Sequence, residues 1–192
     1  MTKLFYVMGP SGAGKDTVLR GARQHHSIAA YNAKDSNPLV FAHRYITRPA
    51  DASGAEVHVP LTHDEFASRV ALGSFAMHWQ SHGNHYGLGV EIHHWLAAGA
   101  HVVVNGSRAY LECAQNAVPS LVPILITAPS AMLAARIKDR SRESESAVAA
   151  RLARAMQFDS VTPADVVVND GTASAAIEAF CAMLLAHCGG AR

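Results

Sequence analysis

Cysteine is scarce. Three residues in a chain of 192, Cys113, Cys181 and Cys188, are odd in number and far from any CxxC spacing. That excludes a disulfide framework and leads to the expectation of reduced thiols in a cytosolic protein. Long apolar runs are missing too. None approaches the roughly 20 residues that a membrane span needs. The run Lys3–Met8 is too short for a secretory signal and leads into glycines rather than a small-residue cleavage site. Charge of one sign is absent as well. The formal net charge is +1, which gives no electrostatic footprint for nucleic acid. What is present is 49% hydrophobic residues, enough for one core in a single domain spanning 1–192. The expectation is a soluble, cytoplasmic protein with no membrane or nucleic-acid partner; whether it forms a homodimer is left open.

Short apolar runs alternate with helical patterns, as in an α/β fold with a parallel sheet flanked by helices. The runs are Leu4–Met8, Leu39–Ile46, His101–Val104, Val122–Thr127 and Asp165–Val168. They are apolar on both faces, as buried parallel strands are. Helices are expected over 15–25, 63–71, 90–98, 108–117, 130–139, 145–158 and 173–187. Residues 27–38 are polar and turn-rich and predict a surface loop. Residues 72–88 carry a short strand-like pattern with Gly, His, Trp and Tyr, and predict a small appendage over the sheet edge.

The segment Gly9, Pro10, Ser11, Gly12, Ala13, Gly14, Lys15 follows a strand and opens a helix. That is the context of a phosphate loop, whose glycines let successive N–H groups turn toward phosphate oxygens. The helix start adds its positive end, and Lys15 reaches the β- and γ-phosphates of ATP. One position departs from the pattern. The residue after the lysine should be Ser or Thr, to ligate Mg²⁺; here it is Asp16, with Thr17 behind it. Asp16 either ligates Mg²⁺, directly or through water, or serves only the helix start. A second departure matches the first. The strand His101–Val104 runs into Asn105-Gly106-Ser107-Arg108, with no carboxylate at its end. The metal site is therefore expected to have moved one carboxylate into the loop.

Arg44 and Arg48 stand four apart at the end of a strand, suited to bidentate phosphate recognition. The stretch from Arg136 through Arg140 and Arg142, with Arg151 and Arg154 beyond a polar connector, predicts an arginine-rich lid over about 136–154. Arg140 and Arg151 are its catalytic candidates beside Lys15. Nothing stands out as a general base, and a phosphate oxygen as acceptor needs none. Seven histidines fall between His58 and His94. They lack nearby cysteines and a ligand spacing on a helix, so structural roles are expected for them.

Taken together, these motifs resemble the guanylate-kinase-like P-loop kinases from Lys3 to about Ala182. The marks are the loop, the strand end Thr47-Arg48, the stretch Gly83-Asn84-His85-Tyr86-Gly87, the arginine-rich lid and Val168-Asn169-Asp170. Within that group, Gly14-Lys15-Asp16, the run from His43 to Arg48, the run from Tyr86 to Ile92 and Val104-Asn105-Gly106-Ser107-Arg108 are similar to the ribose 1,5-bisphosphate phosphokinases. The resemblance implies a P-loop nucleoside triphosphate hydrolase fold, with an acceptor-binding region over about 43–88. It implies transfer of the γ-phosphoryl of ATP, with Mg²⁺, to the 1-phosphate of ribose 1,5-bisphosphate, giving 5-phospho-α-D-ribose 1-diphosphate. ATP phosphates would lie on Gly9 through Thr17, with Asp16 and Thr17 at the metal. The acceptor would lie on Arg44, Arg48, Tyr86 and Arg108, and Asn169 and Asp170 would lie near the adenine or form a turn. The positions with which guanylate kinases read guanine match Met77 and Leu88, neither of which pairs with a base edge.

Overall fold

The computed structural model describes residues 1–50, 56–140 and 163–189, with side chains through 138 in the second stretch. Two sheets organise it. The five-stranded sheet is parallel throughout, in the order β2 (Leu39–Phe41), β7 (His101–Asn105), β1 (Leu4–Met8), β8 (Leu121–Thr127), β9 (Asp165–Val168). β1 and β7 are buried at every position, which is why they read as unbroken apolar runs rather than alternating ones. Alternate side chains still serve different layers. Phe5 and Val7 join a core with Val18, Val103, Ile124, Phe180 and Leu184, under α1 (Lys15–Arg23), α2 (His26–Asn32), α6 (Ser130–Arg140) and α7 (Ala173–Gly189). Leu4, Tyr6 and Met8 join the opposite core, with Ile92 of α4 (Glu91–Ala97) and Leu111 of α5 (Leu111–Ala117).

The second sheet has the order β4 (His58–Pro60), β3 (Arg44–Ile46), β6 (Asn84–Gly89), β5 (Phe75–Ser81), with α3 (His63–Ala71) between β4 and β5. Its apolar face, Ile46, Met77, Trp79, Tyr86 and Leu88, belongs to the same core as Leu4, Tyr6 and Met8. The stretch 72–88 thus becomes a β-hairpin, turned at His82-Gly83, both at positive φ. One shared core fixes the small sheet against the large one, and the cleft between them is the site described below.

Three expectations fail. Residues 27–38 are not a loop throughout, because their first half completes α2. His25 accepts from the Ser27 backbone N–H at 3.4 Å and Ile28 is buried, so capping and one apolar anchor outweigh a polar composition. The run Leu39–Ile46 is not one strand. Ala42 N–H still donates to Val103 O at 2.9 Å, after which the chain leaves for the other sheet, where Arg44 pairs with His58 and Leu88. Both faces of the run are apolar because it serves two sheets. The expected helix 108–117 is a 3₁₀ turn, Arg108–Tyr110, followed by α5. The expected helix 145–158 lies outside the described residues.

Tyr6 carries the large sheet into the site. Its hydroxyl donates to Ser107 O at 3.0 Å and accepts from Ser107 N–H at 2.9 Å. Burial pushes that hydroxyl well above its ordinary value, so it stays protonated and keeps donating. Gly106 lies flat on the Tyr6 ring, which a Cβ there would strike. Tyr6→Phe removes both hydrogen bonds while keeping the ring. We expect it to lower unfolding free energy by about 1–3 kcal/mol in urea titrations; an unchanged midpoint would show that the Ser107 loop is held by something else.

Candidate active site

The phosphate loop joins β1 to α1 with the curl that its glycines allow. Gly12 and Gly14 have φ of 86° and 80°, a region open to glycine at little cost. A Cβ on Gly14 would strike the side-chain amide of Asn169. That amide belongs to a buried residue and donates to Ala13 O at 2.9 Å. Arg136 of α6 donates to Gly12 O at 3.4 Å and to Asn169 O at 3.3 Å. The loop's carbonyls are therefore tied down from behind. α1 begins at Gly14 without a side-chain cap, which leaves the N–H groups of its first turn for an anion. Asn169 supports the loop, a role that the sequence pattern leaves between adenine contact and turn.

A cavity of about 500 Å³ opens in front of this loop. Gly9, Pro10, Ser11, Gly12, Gly14, Lys15, Asp16 and Thr17 line one side. Arg44, Arg48 and Tyr86 from the small sheet, with Arg108 from the loop after β7, line the other. Of the loop residues named from sequence, Ala13 alone is absent from the lining, being fully buried. The structure thus brings the expected donor and acceptor residues to one cavity. The lid candidates are not placed: Arg140 ends α6 with its side chain outside the described residues, and Arg151 lies outside them altogether.

Charges in the cavity form one chain. The Lys15 ammonium donates to Asn105 Oδ1 at 2.7 Å and lies 3.4 Å from Asp16 Oδ1. Asn105 Nδ2 donates to the same Asp16 oxygen at 2.9 Å, and an Arg44 guanidinium nitrogen stands 3.9 Å from it. Arg44 Nε continues to Glu56 Oε1 at 2.7 Å, and Glu56 Oε2 accepts from Arg48 at 3.0 Å. Burial pushes the Lys15 ammonium below its ordinary value, against the pull of Asp16, while Arg44 adds to the fall. At Asp16 burial works upward. Lys15, Arg44 and the hydrogen bonds from Asn105 and Lys15 outweigh it and hold the carboxyl below the usual carboxylate range. Every contact of Asp16 falls on Oδ1, so Oδ2 keeps no partner among the described residues. The Asp16 carboxylate bonds side chains rather than backbone N–H groups, which is not the pattern of a helix cap.

Aromatic rings complete the side of the cavity formed by the small sheet. Trp79 stacks on Tyr86 at 5.7 Å between centroids and on Tyr110 at 5.4 Å, and Arg44 sits 5.2 Å above the Tyr86 ring. Met77 and Leu88, directly opposite each other across β5 and β6, are buried in the core and do not face the cavity. Two site residues have little signature in the sequence. Glu56 follows the small residues Ala52-Ser53-Gly54-Ala55 with no motif around it, and Trp79 reads as one more apolar strand position. Only the pairing of β3 with β4 brings Glu56 between Arg44 and Arg48. Among the described residues no three His, Cys, Asp or Glu side chains gather as a metal cluster, and no helix is long and apolar enough to cross a membrane. Within the His58–His94 stretch, His58 is buried with Nε2 3.1 Å from Arg48 O, and His85 packs on His63 and Phe66. Glu56→Gln should unfold at lower urea than wild type, by about 3 kcal/mol at most, because it leaves buried Arg44 with only the more distant Asp16 as an anion, 3.9 Å away. Equal unfolding midpoints would contradict a structural role for this bridge.

No protein-family model matches the chain. Relatives and solved structures do. A protein of Thiobacillus denitrificans named ribose 1,5-bisphosphate phosphokinase PhnN is 51% identical over 156 residues, covering 81% of this chain and 78% of its own. One of the same name from Pectobacterium atrosepticum is 46% identical over 187 residues, covering 96% and 94%. A third, from Laribacter hongkongensis, is 50% identical over 97% of this chain, which spans only 43% of that longer protein. The crystal structure of guanylate kinase from Anaplasma phagocytophilum superimposes with a TM-score of 0.63 at 16% identity, over 97% of this chain and 86% of its own. That likeness shows the fold: a parallel α/β sheet of the P-loop kinase type. With the identities above, spread over nearly the whole length, the chain belongs to the ribose 1,5-bisphosphate phosphokinase family.

Proposed function

We propose that this protein transfers the γ-phosphoryl group of ATP to the 1-phosphate of ribose 1,5-bisphosphate, releasing ADP and 5-phospho-α-D-ribose 1-diphosphate. One observation carries the reading: a phosphate loop and an Arg44–Glu56–Arg48 cluster face each other across a single cavity. Its lining holds five cationic side chains, Lys15, Arg44, Arg48, Arg108 and Arg136, against the two carboxylates Asp16 and Glu56. Such an excess suits two polyphosphate partners whose charges must be brought together.

Mg²⁺ fits the donors present. Asp16 Oδ2 has no partner among the described residues, and Thr17 lines the cavity beside it, so these are the side chains that would hold the ion. When bound, Mg²⁺ supplies charge neutralisation at the β- and γ-phosphate oxygens. The chain's own contribution is positioning. The loop N–H groups and Lys15 hold the donor phosphates. Arg44 and Arg48 orient the acceptor's anomeric phosphate, with Trp79 and Tyr86 as a platform beside the sugar. One oxygen of that phosphate attacks the γ-phosphorus as the bond to the β-bridging oxygen breaks. The attacking oxygen is already ionised, so no proton needs removing and no general base is required.

Arg140 and Arg151 are assigned to a lid over about 136–154, closing on the transferring group within one kinase domain. The cytoplasm is the compartment where its nucleotide would be available. Guanylate kinase activity is disfavoured because Met77 and Leu88 are core residues, and a site without guanine-pairing groups loses base discrimination.

Phosphorus NMR of a reaction containing ATP, Mg²⁺ and ribose 1,5-bisphosphate tests the reading. The expected product shows two coupled phosphorus signals of a diphosphate at the anomeric carbon. A phosphorylated hydroxyl instead, or turnover with GMP exceeding that with the sugar bisphosphate, would contradict it.

A further inference from the structure

Asn105 closes β7 at the place where P-loop proteins of this type carry a metal-binding carboxylate. It is buried, and its backbone is set by the large sheet: it pairs with Val7, and the next residue, Gly106, donates its N–H to Val7 O at 2.8 Å. The strand that feeds the phosphate loop therefore also sets the height of Asn105. Its side chain stands between the two charged groups of the loop. Oδ1 accepts from Lys15 at 2.7 Å and Nδ2 donates to Asp16 at 2.9 Å, whereas Lys15 and Asp16 approach each other only to 3.4 Å. The two short contacts fix the amide's orientation. Turned over, it would present N–H to an ammonium and oxygen to a carboxylate. No carboxylate or aliphatic side chain reproduces both contacts. Asp would accept from Lys15 but set a second anion against Asp16, and Leu would do neither.

We propose that Asn105 is a positioning residue, holding the Lys15 ammonium and the Asp16 carboxylate in fixed relation before ATP arrives, and that it is neutral because Asp16 has taken over the negative charge otherwise carried at this strand end. The inference rests on the reading that the loop holds ATP with Mg²⁺, but not on the identity of the acceptor. It makes the two positions exchangeable as a pair. A hydroxyl at 16 with a carboxylate at 105 keeps one anion in the metal site, whereas each single exchange gives either two anions or none.

Calorimetric titration without acceptor tests this, using ATP with Mg²⁺ and ATP with EDTA, alongside thermal melts. The variants are Asn105→Leu, Asn105→Asp, Asp16→Ser and the double variant Asp16→Ser/Asn105→Asp. Losing hydrogen bonds to charged groups should weaken metal-free ATP binding about tenfold or more in Asn105→Leu. Asn105→Asp should weaken binding of ATP with Mg²⁺ by a similar factor, and the double variant should return to within about threefold of wild type. Should Asn105→Leu fail to fold, Asn105→Asp and the double variant decide the matter. Binding within about twofold of wild type in both titrations for the Asn105 single variants, or a double variant no tighter than the weaker single one, would overturn the proposal. Because no acceptor is present, a wrong sugar substrate would leave these outcomes unchanged and would show only in the product analysis.

Discussion

Burial of one ammonium group organises this molecule. Lys15 opens α1, at the end of the glycine loop that follows the fully buried strand β1. There water hydrates it poorly, and its charge has to be met by protein groups. Asn105 and Asp16 meet it. Asp16 then lies near Arg44, Arg44 needs Glu56, and Glu56 reaches Arg48. The loop side and the arginine side of the cavity are joined by this line of compensated charge. The two sheets that carry those halves are joined by one hydrophobic core, through Tyr6, Met77 and Leu88. Mechanical and electrostatic coupling follow the same path.

The chain has the P-loop kinase fold, with a cavity lined by charge and aromatic rings. Met77 and Leu88 lie in the core, whereas Arg44, Arg48 and Arg108 line the cavity. Trp79 and Tyr86 offer flat apolar surface but no base-pairing edge. A cavity so built suits charge and a small ring, as the proposed sugar-phosphate substrate requires. The proposed exchange of carboxylate between strand end and loop would fit the same pattern, since either arrangement would leave a single anion for a metal ion.

Much of this was legible before the coordinates. A buried parallel strand announces itself as an unbroken apolar run, so Leu4–Met8 could be bounded from sequence to the residue; Asp165–Val168 has the expected bounds too, although as an edge strand it buries only Val167. The phosphate loop is a local device and carries its full signature in consecutive residues. What could not be read is non-local. Glu56 becomes a bridge only because β3 and β4 run side by side, and Asn169 becomes a prop only because β9 ends beneath the loop. Residues 39–46 misled because two faces buried against different sheets look like one strand buried on both. Residues 27–38 misled because a short helix held by a cap and one buried Ile28 has too few apolar positions to show a period.

The central claim is that the loop and the arginine cluster act on one line through one cavity. A bisubstrate analogue tests it, with adenosine joined to ribose 5-phosphate through the three phosphates of ATP and the acceptor's anomeric phosphate. Calorimetry should find it bound about a hundredfold more tightly than ATP, as expected when a second binding event becomes intramolecular, and Arg48→Ala should remove most of that gain. An analogue that binds no more tightly than ATP, or whose affinity ignores Arg48, would contradict the account.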